Sequence, residues 1–313
     1  MEKVKELILK SKSAIILSHV NADGDAVASS MAMKCILKEL GINSKIYLDA
    51  PVEERLSFIT DEALVYAGEV CEHDLCIVLD SGSRDRLGRR EEILKNENAV
   101  VNIDHHITNT MFGDANYVVP HASATGEVLF DVLEALGVDL TQEIARYLYI
   151  AICSDTGCFA YSNASSKTFS IASKLVKKDI DHAEIARLLF NCVDIKSELI
   201  KAELVKSVNS YCDGKIRTVS VTREMAEKFG IDVEDVQGLV DIPRRLRGTE
   251  IAVALKEKED TIRISLRAVG NIDVAKVAMQ FGGGGHPKAA GCGIDKEIKE
   301  AERDIVKACE VLL

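Results

Sequence analysis

Three short apolar runs, Ala14-Ile15-Ile16-Leu17, Leu75 to Leu79 and Val100 to Ile103, each stop at a polar block containing aspartate. Such short runs bounded by polar turns are expected to be strands. Val4, Leu7 and Ile8 before the first run have a helical period. After it comes a second helical run, Ala26 to Leu40, stopped by Gly41 and followed by a strand from Lys45 to Leu48. That is a βαβ unit, and a parallel sheet of such units holds ligands beyond the carboxyl ends of its strands. The blocks behind three different strands are therefore expected to converge.

At 313 residues the chain has the length of two domains. The expected fold class is α/β: a parallel-sheet, Rossmann-like N-terminal domain over residues 1–190, a helical linker over 191–211, and a smaller α+β domain over 212–313. From Thr125 to Ser210 the pattern is helical, with Gly137 as punctuation. Beyond Gly214, Ile216 to Val221, Ile251 to Leu255 and Thr261 to Leu266 alternate as half-buried strands, ahead of a short helix, a glycine run and a last helix. No internal repeat points to a solenoid.

The longest apolar stretches, such as Tyr147 to Cys153, are far shorter than the ~20 residues a membrane helix needs, and the first ten residues alternate charge with apolar side chains, unlike a secretory signal. A soluble, cytoplasmic protein is expected, with its nine cysteines reduced. Cys71, His73 and Cys76 lack the second ligand pair that a zinc ribbon needs. With 39 basic and 50 acidic residues the net charge is −11. That balance argues against holding long duplex nucleic acid through phosphate contacts and leaves room for a small anion in a local basic pocket.

Chemistry concentrates in four N-terminal blocks. His19-Val-Asn-Ala-Asp23-Gly-Asp25 follows the first strand and opens a helix, where either aspartate has a competing use as a helix cap. Asp80-Ser81-Gly82 follows the second strand, Asp104-His105-His106 the third, and Ser154-Asp155-Thr156-Gly157 ends an apolar helical run. Should Asp23, Asp25, Asp80 and Asp155 meet, each pair of unit charges ~4 Å apart, at an effective dielectric near 20, would repel by about 4 kcal/mol. Either they are protonated or cations neutralise them, and four carboxylates balance two divalent ions. His19 and His105 favour a transition ion, manganese first, with magnesium or cobalt as substitutes. In the third block His105 is expected on metal, Asp104 orienting an imidazole, and His106 toward substrate as hydrogen-bond donor or acid.

In the second domain Phe281-Gly-Gly-Gly-Gly-His286-Pro-Lys288-Ala-Ala-Gly291 is the strongest signal. Consecutive glycines such as Gly283, Gly284 and Gly285 let amides approach an anion as a nest, while His286 and Lys288 add donors. Strand alternation puts Ser265 and Arg267 on one face, where Arg267 can clamp a phosphate. Arg244, Arg245 and Arg247 form the densest basic patch, better explained as a solvated surface.

With these residues in place, the chain resembles the DHH phosphoesterase family over its whole length. HVNADGDA, LDSG, DHH and SDTG appear in order, and GGGGHPKAAGC is similar to the DHH-associated C-terminal domain. The resemblance implies two manganese ions, one on His19, Asp23 and Asp80, the other on Asp25, Asp80, His105 and Asp155, with Asp80 shared. It also implies a substrate phosphate on Arg267, His286 and the glycines. Within the family the layout is most similar to the nanoRNase and pAp phosphatase type. This implies short RNA oligonucleotides, pAp or small dinucleotides as substrates, a water activated by two metals, a second domain that closes over the cleft to limit substrate length, and a homodimer. Ala28, Ala124 and Ala268 depart from residues frequent in relatives without removing a ligand. Competing expectations are a phosphodiesterase for cyclic di-AMP or pApA and a non-catalytic nucleotide sensor; the GGGGH tail counts against a type II pyrophosphatase, and the charge against a processive exonuclease.

Overall fold

Ser13–Leu17 (β1) forms the middle of a sheet because both of its faces are covered. Ile16 belongs to the main apolar core, while Ile15 and Leu17 belong to a second cluster with Leu87, Ile93 and Val78. The computed structural model of the chain describes residues 1–60, 62–95, 98–236 and 238–313. They fall into two units, Met1–Cys192 and Val193–Leu313.

In the first unit α1 (Glu2–Lys10) precedes β1, and α2 (Gly24–Glu39) leads to β2 (Asn43–Leu48). Then follow β3 (Leu64–Val65), β4 (Leu75–Leu79), β5 (Ala99–Asp104) and β6 (Ala115–Val118). Four helices complete the unit: α3 (Thr125–Leu136), α4 (Gln142–Thr156), α5 (Ser166–Val176) and α6 (His182–Phe190). The strand order is β3-β2-β1-β4-β5-β6, and every pairing is parallel. From β1 the chain first builds outward to β3, then crosses to β4 and builds the other way. The gap where the winding reverses lies between the carboxyl ends of β1 and β4, the place where open α/β sheets bind ligands. Edge strands β3 and β6 were not legible in the pattern: Leu64 and Val65 are exposed and β6 has a single buried residue, so neither forms a buried run.

The second unit begins with α7 (Ile195–Lys206) and β7 (Asn209–Tyr211). It continues through β8 (Ile216–Val221), α8 (Arg223–Lys228), α9 (Asp241–Arg244), β9 (Ile251–Glu257) and β10 (Ile262–Ala268). It ends with α10 (Ala275–Gln280), β11 (Gly284–His286), β12 (Ala289–Ile294) and α11 (Ile298–Glu310). Its sheet runs β11-β12-β10-β9-β8-β7, antiparallel except for β8 beside β9. One face buries Val253, Ile264 and Leu266 with Val277 and Ile305; the other buries Val219, Ala252 and Ala254 with Ile200 and Leu204. Ile200 and Leu204 make α7, within the stretch expected as a linker, a packed element of this unit. The last residues of that stretch pair as β7 instead of continuing the helix.

Among the described residues no helix is long and apolar enough to cross a membrane. In the first unit α3 and α4 approach closely at Gly126, where a β-carbon would lie 2.5 Å from Ala151 Cβ and 3.2 Å from the Leu148 carbonyl oxygen. Overpacking of this kind costs about 1–3 kcal/mol, so Gly126→Val is expected to lower unfolding free energy by about that amount in a denaturant titration. An unchanged midpoint and slope would show that the helices separate freely here.

Candidate metal centre

His19 follows β1 after one residue, Asp80 follows β4 directly, and His105 follows β5 directly. Asp155 arrives from the last turn of α4, which Gly157 terminates in the left-handed conformation. Asp23 is the N-cap of α2, its Oδ1 accepting from the Ala26 amide at 3.1 Å, and Asp25 lies in that helix's first turn. The capping use of Asp23 is thus real, and it does not exclude the second use, because the same carboxylate lies 3.8 Å from His19 Nε2.

Six side chains expected as ligands come together. His19, Asp23 and Asp80 offer ligand atoms within 4.8 Å of one another, and so do Asp25, His105 and Asp155. Asp80 stands between the groups: its Oδ2 is 3.5 Å from His19 Nε2 and its Oδ1 is 3.5 Å from His105 Nε2. His105 Nε2 is also 3.4 Å from Asp155 Oδ2. Asp80 holds a left-handed backbone, φ 54°, sparsely populated by non-glycine residues and commonest where function requires it.

Backbone carbonyls orient both imidazoles. His19 Nδ1 is 2.8 Å from the Val20 carbonyl oxygen and His105 Nδ1 is 3.2 Å from that of Ala122. With the Nδ1–H donated there, each neutral ring turns an Nε2 lone pair toward the carboxylates, the tautomer a metal ligand requires. A donor set of four carboxylates and two such imidazoles fits divalent ions with mixed oxygen and nitrogen preference.

The third block divides its labour. Asp104 is fully buried; its Oδ1 accepts from His106 Nδ1 at 2.7 Å and its Oδ2 from Asn109 Nδ2 at 2.6 Å. Asn109 is in turn 2.8 Å from Asn102 Oδ1. His106 keeps 43% of its side chain exposed. His106 Nδ1 also lies 3.8 Å from Asp80 Oδ1, forming a third cluster with Asp80 and His105.

Burial, then Asp80, Asp155 and Asp23, drives the Asp25 carboxyl well above its usual range. Burial pushes Asp155 up to about 7, opposed by His105 and reinforced by Asp80 and Asp23. Burial opposes the cation on His19, but hydrogen bonds with Asp23 and Asp80 overcome it and raise the imidazole to about 10. The bond to Asp104 raises His106 against its desolvation.

Sequence reasoning missed the segment after β6. Thr125 N donates to Asp25 Oδ2 at 2.7 Å, Gly126 N to Asp25 Oδ1 at 3.1 Å, and Thr125 Oγ1 to Asp80 Oδ1 at 2.9 Å. Ser29 Oγ adds a donor to Asp25 Oδ1 at 2.8 Å. The available signal was Ser123-Ala-Thr125, which opens a helix without a capping side chain on its N-cap, Ala124.

In the second unit β10 pairs with β12 so that Arg267 faces Ala289 and Ser265 faces Gly291. β11 sets His286 opposite Ala289 and Gly284 opposite Gly291. Arg267, Ser265, His286 and Gly284 therefore share one face. Of the glycine run, Gly284 and Gly285 lie in the edge strand β11, and Gly282 sits in the turn before it at φ 73°. Gly283 and Gly285 are demanded by contact, since β-carbons there would lie 2.1 Å from the Gly291 carbonyl oxygen and 2.5 Å from that of Ala289. A β-carbon on Gly284 would meet nothing within 4 Å. Arg267 Nη1 donates to the Leu266 carbonyl at 3.0 Å. Lys288 does not point its ammonium at this face as a donor for an anion; it donates to the carbonyls of Gly270 and Ile272.

Residues 13–152 match the DHH family, N-terminal domain, and residues 213–312 match the DHHA1 domain. The chain is similar to the bifunctional oligoribonuclease and PAP phosphatase NrnA of Thermus thermophilus, 30% identical over 97% of this chain and 94% of that one. It is similar also to the protein of the same name from Bacillus subtilis, 28% identical over 90% of this chain and 88% of the other. The crystal structure of an exopolyphosphatase-related protein from Bacteroides fragilis superposes with a TM-score of 0.93 at 25% identity, covering 99% of this chain and 95% of that one.

An ion entering this centre competes with protons on Asp25, Asp155 and His19, all of which are raised by their surroundings. Apparent affinity therefore rises with pH, because fewer protons compete. As pH falls below the titration of Asp155 near 7, affinity for manganese should drop about tenfold per unit of acidification for each proton displaced. Calorimetry in buffers of different ionisation enthalpy would count the released protons; affinity constant from mildly acidic to mildly alkaline pH, with none released, would contradict the arrangement.

Proposed function

The chain belongs to the DHH family, and from that premise we propose that it is a phosphoesterase that degrades short oligoribonucleotides to 5′-mononucleotides and removes the 3′-phosphate of pAp. The observation that carries the reading is Asp80, with one oxygen 3.5 Å from each of two imidazoles tied by backbone carbonyls. We assign His19, Asp23 and Asp80 to one divalent ion and Asp25, Asp80, His105 and Asp155 to another, manganese by preference because imidazole donors suit transition ions. Such ions, when bound, acidify water and draw charge from phosphoryl oxygens.

The chain's own groups do the rest. Asp104 fixes the ring of His106 through Nδ1, so that Nε2 is available to hydrogen-bond a phosphoryl oxygen or to protonate a leaving oxygen. Asp104 itself cannot swing away, because Asn109 holds its second oxygen. In the second unit Arg267, His286 and Ser265 bind a substrate phosphate on the shared face, with Gly284 keeping that face clear. Gly283 and Gly285 hold β11 flat against β12, and Lys288 steadies residues 270–272 beside it. No covalent intermediate with the protein is needed.

Product analysis of a 5′-labelled trinucleotide and of pAp, with manganese added, tests the substrate class. Mononucleotides from the first and loss of the 3′-phosphate from the second are expected, and Asp80→Ala should abolish both. Preferential turnover of cyclic di-AMP, offered in parallel, would overturn the assignment in favour of a cyclic-dinucleotide phosphodiesterase.

Gly284→Val provides a separate check on the anchor. Because its side chain enters open space, the variant is expected to keep its Tm while KM for pAp rises about tenfold and kcat changes little. An unchanged KM would remove that face from the substrate site.

A further inference from the structure

Glu127, in the first turn of α3, is buried to 2% exposure and takes no part in the ligand set. Its Oε2 accepts from Ser123 Oγ at 2.8 Å, from the Ser123 amide at 3.4 Å and from Thr168 Oγ1 at 2.7 Å. Lys167 Nζ lies 3.9 Å from its other oxygen. Burial of a carboxylate is costly unless its acceptors are used, and here the partners come from two helix starts, since Thr168 also closes the capping box of α5 with Ser165.

The segment held by Glu127 is the one that orients the candidate ligands. Between Ser123 and Glu127 lie Thr125 N and Gly126 N, both on Asp25, and Thr125 Oγ1, on Asp80. One residue before Ser123 is Ala122, whose carbonyl oxygen faces His105 Nδ1. The helix has no side-chain cap of its own. Its free amides are satisfied by a carboxylate from α2, a hundred positions earlier, and Glu127 reaches back to Ser123 as the third residue of a capping box reaches back to the cap. Asn163 Nδ2 closes the brace by donating to the carbonyls of Ser123 and Asp155 at 3.0 and 3.1 Å.

We infer that Glu127 is a positioning residue: by fixing residues 122–126 it sets the orientation of His105, Asp25 and Asp80 toward divalent ions. The inference rests on the metal reading above, and the test separates the two.

Manganese affinity of the whole chain, by calorimetry and by the electron paramagnetic resonance of free ion, is measured beside Tm for wild type, Glu127→Ala, Glu127→Gln, Ser123→Ala and Leu175→Ala. Groups that orient ligands typically change metal affinity about 10–100-fold on removal. Glu127→Ala should show a loss of that size, with kcat for pAp lowered and KM within about twofold. Glu127→Gln, which keeps volume and an acceptor oxygen, should recover most of it. Ser123→Ala should lose affinity several-fold, and decides the matter if Glu127→Ala does not fold. Leu175→Ala, a buried α5 position outside these hydrogen bonds, should lower Tm and leave affinity unchanged. Wild-type affinity in Ser123→Ala or a folded Glu127→Ala, or a loss in Leu175→Ala as large as theirs, would overturn the positioning role. Failure of wild type to bind manganese would strike the metal reading itself.

Discussion

Four aspartates crowd the end of one parallel sheet, and their mutual repulsion is the constraint to which the surrounding structure responds. Asp25 and Asp80 are almost wholly withdrawn from water, so water cannot screen them as it screens surface charge. The protein compensates in three ways. Amides at the start of α3 point at Asp25, placing the positive end of a helix dipole against the most buried acid. Thr125 spends its hydroxyl on Asp80. His19 and His105 stand among the carboxylates as groups that carry a proton or, neutral, a lone pair. These contacts do not offset burial and mutual repulsion, which together raise the Asp25 and Asp155 carboxyls. Divalent cations are the economical solution to a charge deficit of this kind.

Orientation is the second half of the problem, and main-chain atoms solve much of it. Carbonyls of Val20 and Ala122 select the ring tautomers, and amides 125 and 126 hold a carboxylate. Main-chain groups on packed elements cannot rotate away as a side chain can, so a site built on them is held where the fold puts it. The one exposed member of the DHH block, His106, is instead gripped by a side-chain chain, Asp104–Asn109–Asn102, whose two ends are buried, with Asn102 anchored on the carbonyls of Val78 and Ser81. That chain ties β5 to the end of β4, so the strands that deliver Asp80 and His105 also fix the group standing beside them.

Much of this was legible in the residues. Strand-like runs at 14–17, 75–79 and 100–103, the last interrupted by Asn102, mark three of the strands inside the sheet. The acids behind them had one place to meet. What escaped were features with no local signature. Strand β3 has no buried residue. The hydrogen bond between Thr125 and Asp25 spans a hundred positions, and no window of sequence contains both partners. Glu127 reads as an ordinary first-turn acid of a helix, and only the packing of α5 against α3 shows that it is buried. The glycine run was legible as special but not in its conformation, because glycine permits a nest and a tight edge strand equally. The contact of residues 283 and 285 with β12 decides between them.

The second unit poses the inverse of the first unit's problem. Where β8 and β9 carry Val219, Ala252 and Ala254, one face of the sheet is covered by α7. Along β10, β12 and β11 the same face presents Ser265, Arg267, Ala289, Gly291, Gly284 and His286, none of them buried. A sheet face that simply met water would be free to carry long polar side chains, and one that met a protein core would carry large apolar ones. This one has a floor of glycine and alanine with donors on either side. Small residues let an occupant approach the backbone closely, and the binding role proposed for Ser265, Arg267 and His286 suits one that accepts hydrogen bonds and carries negative charge. A phosphate meets both requirements, and a bulky apolar ligand meets neither.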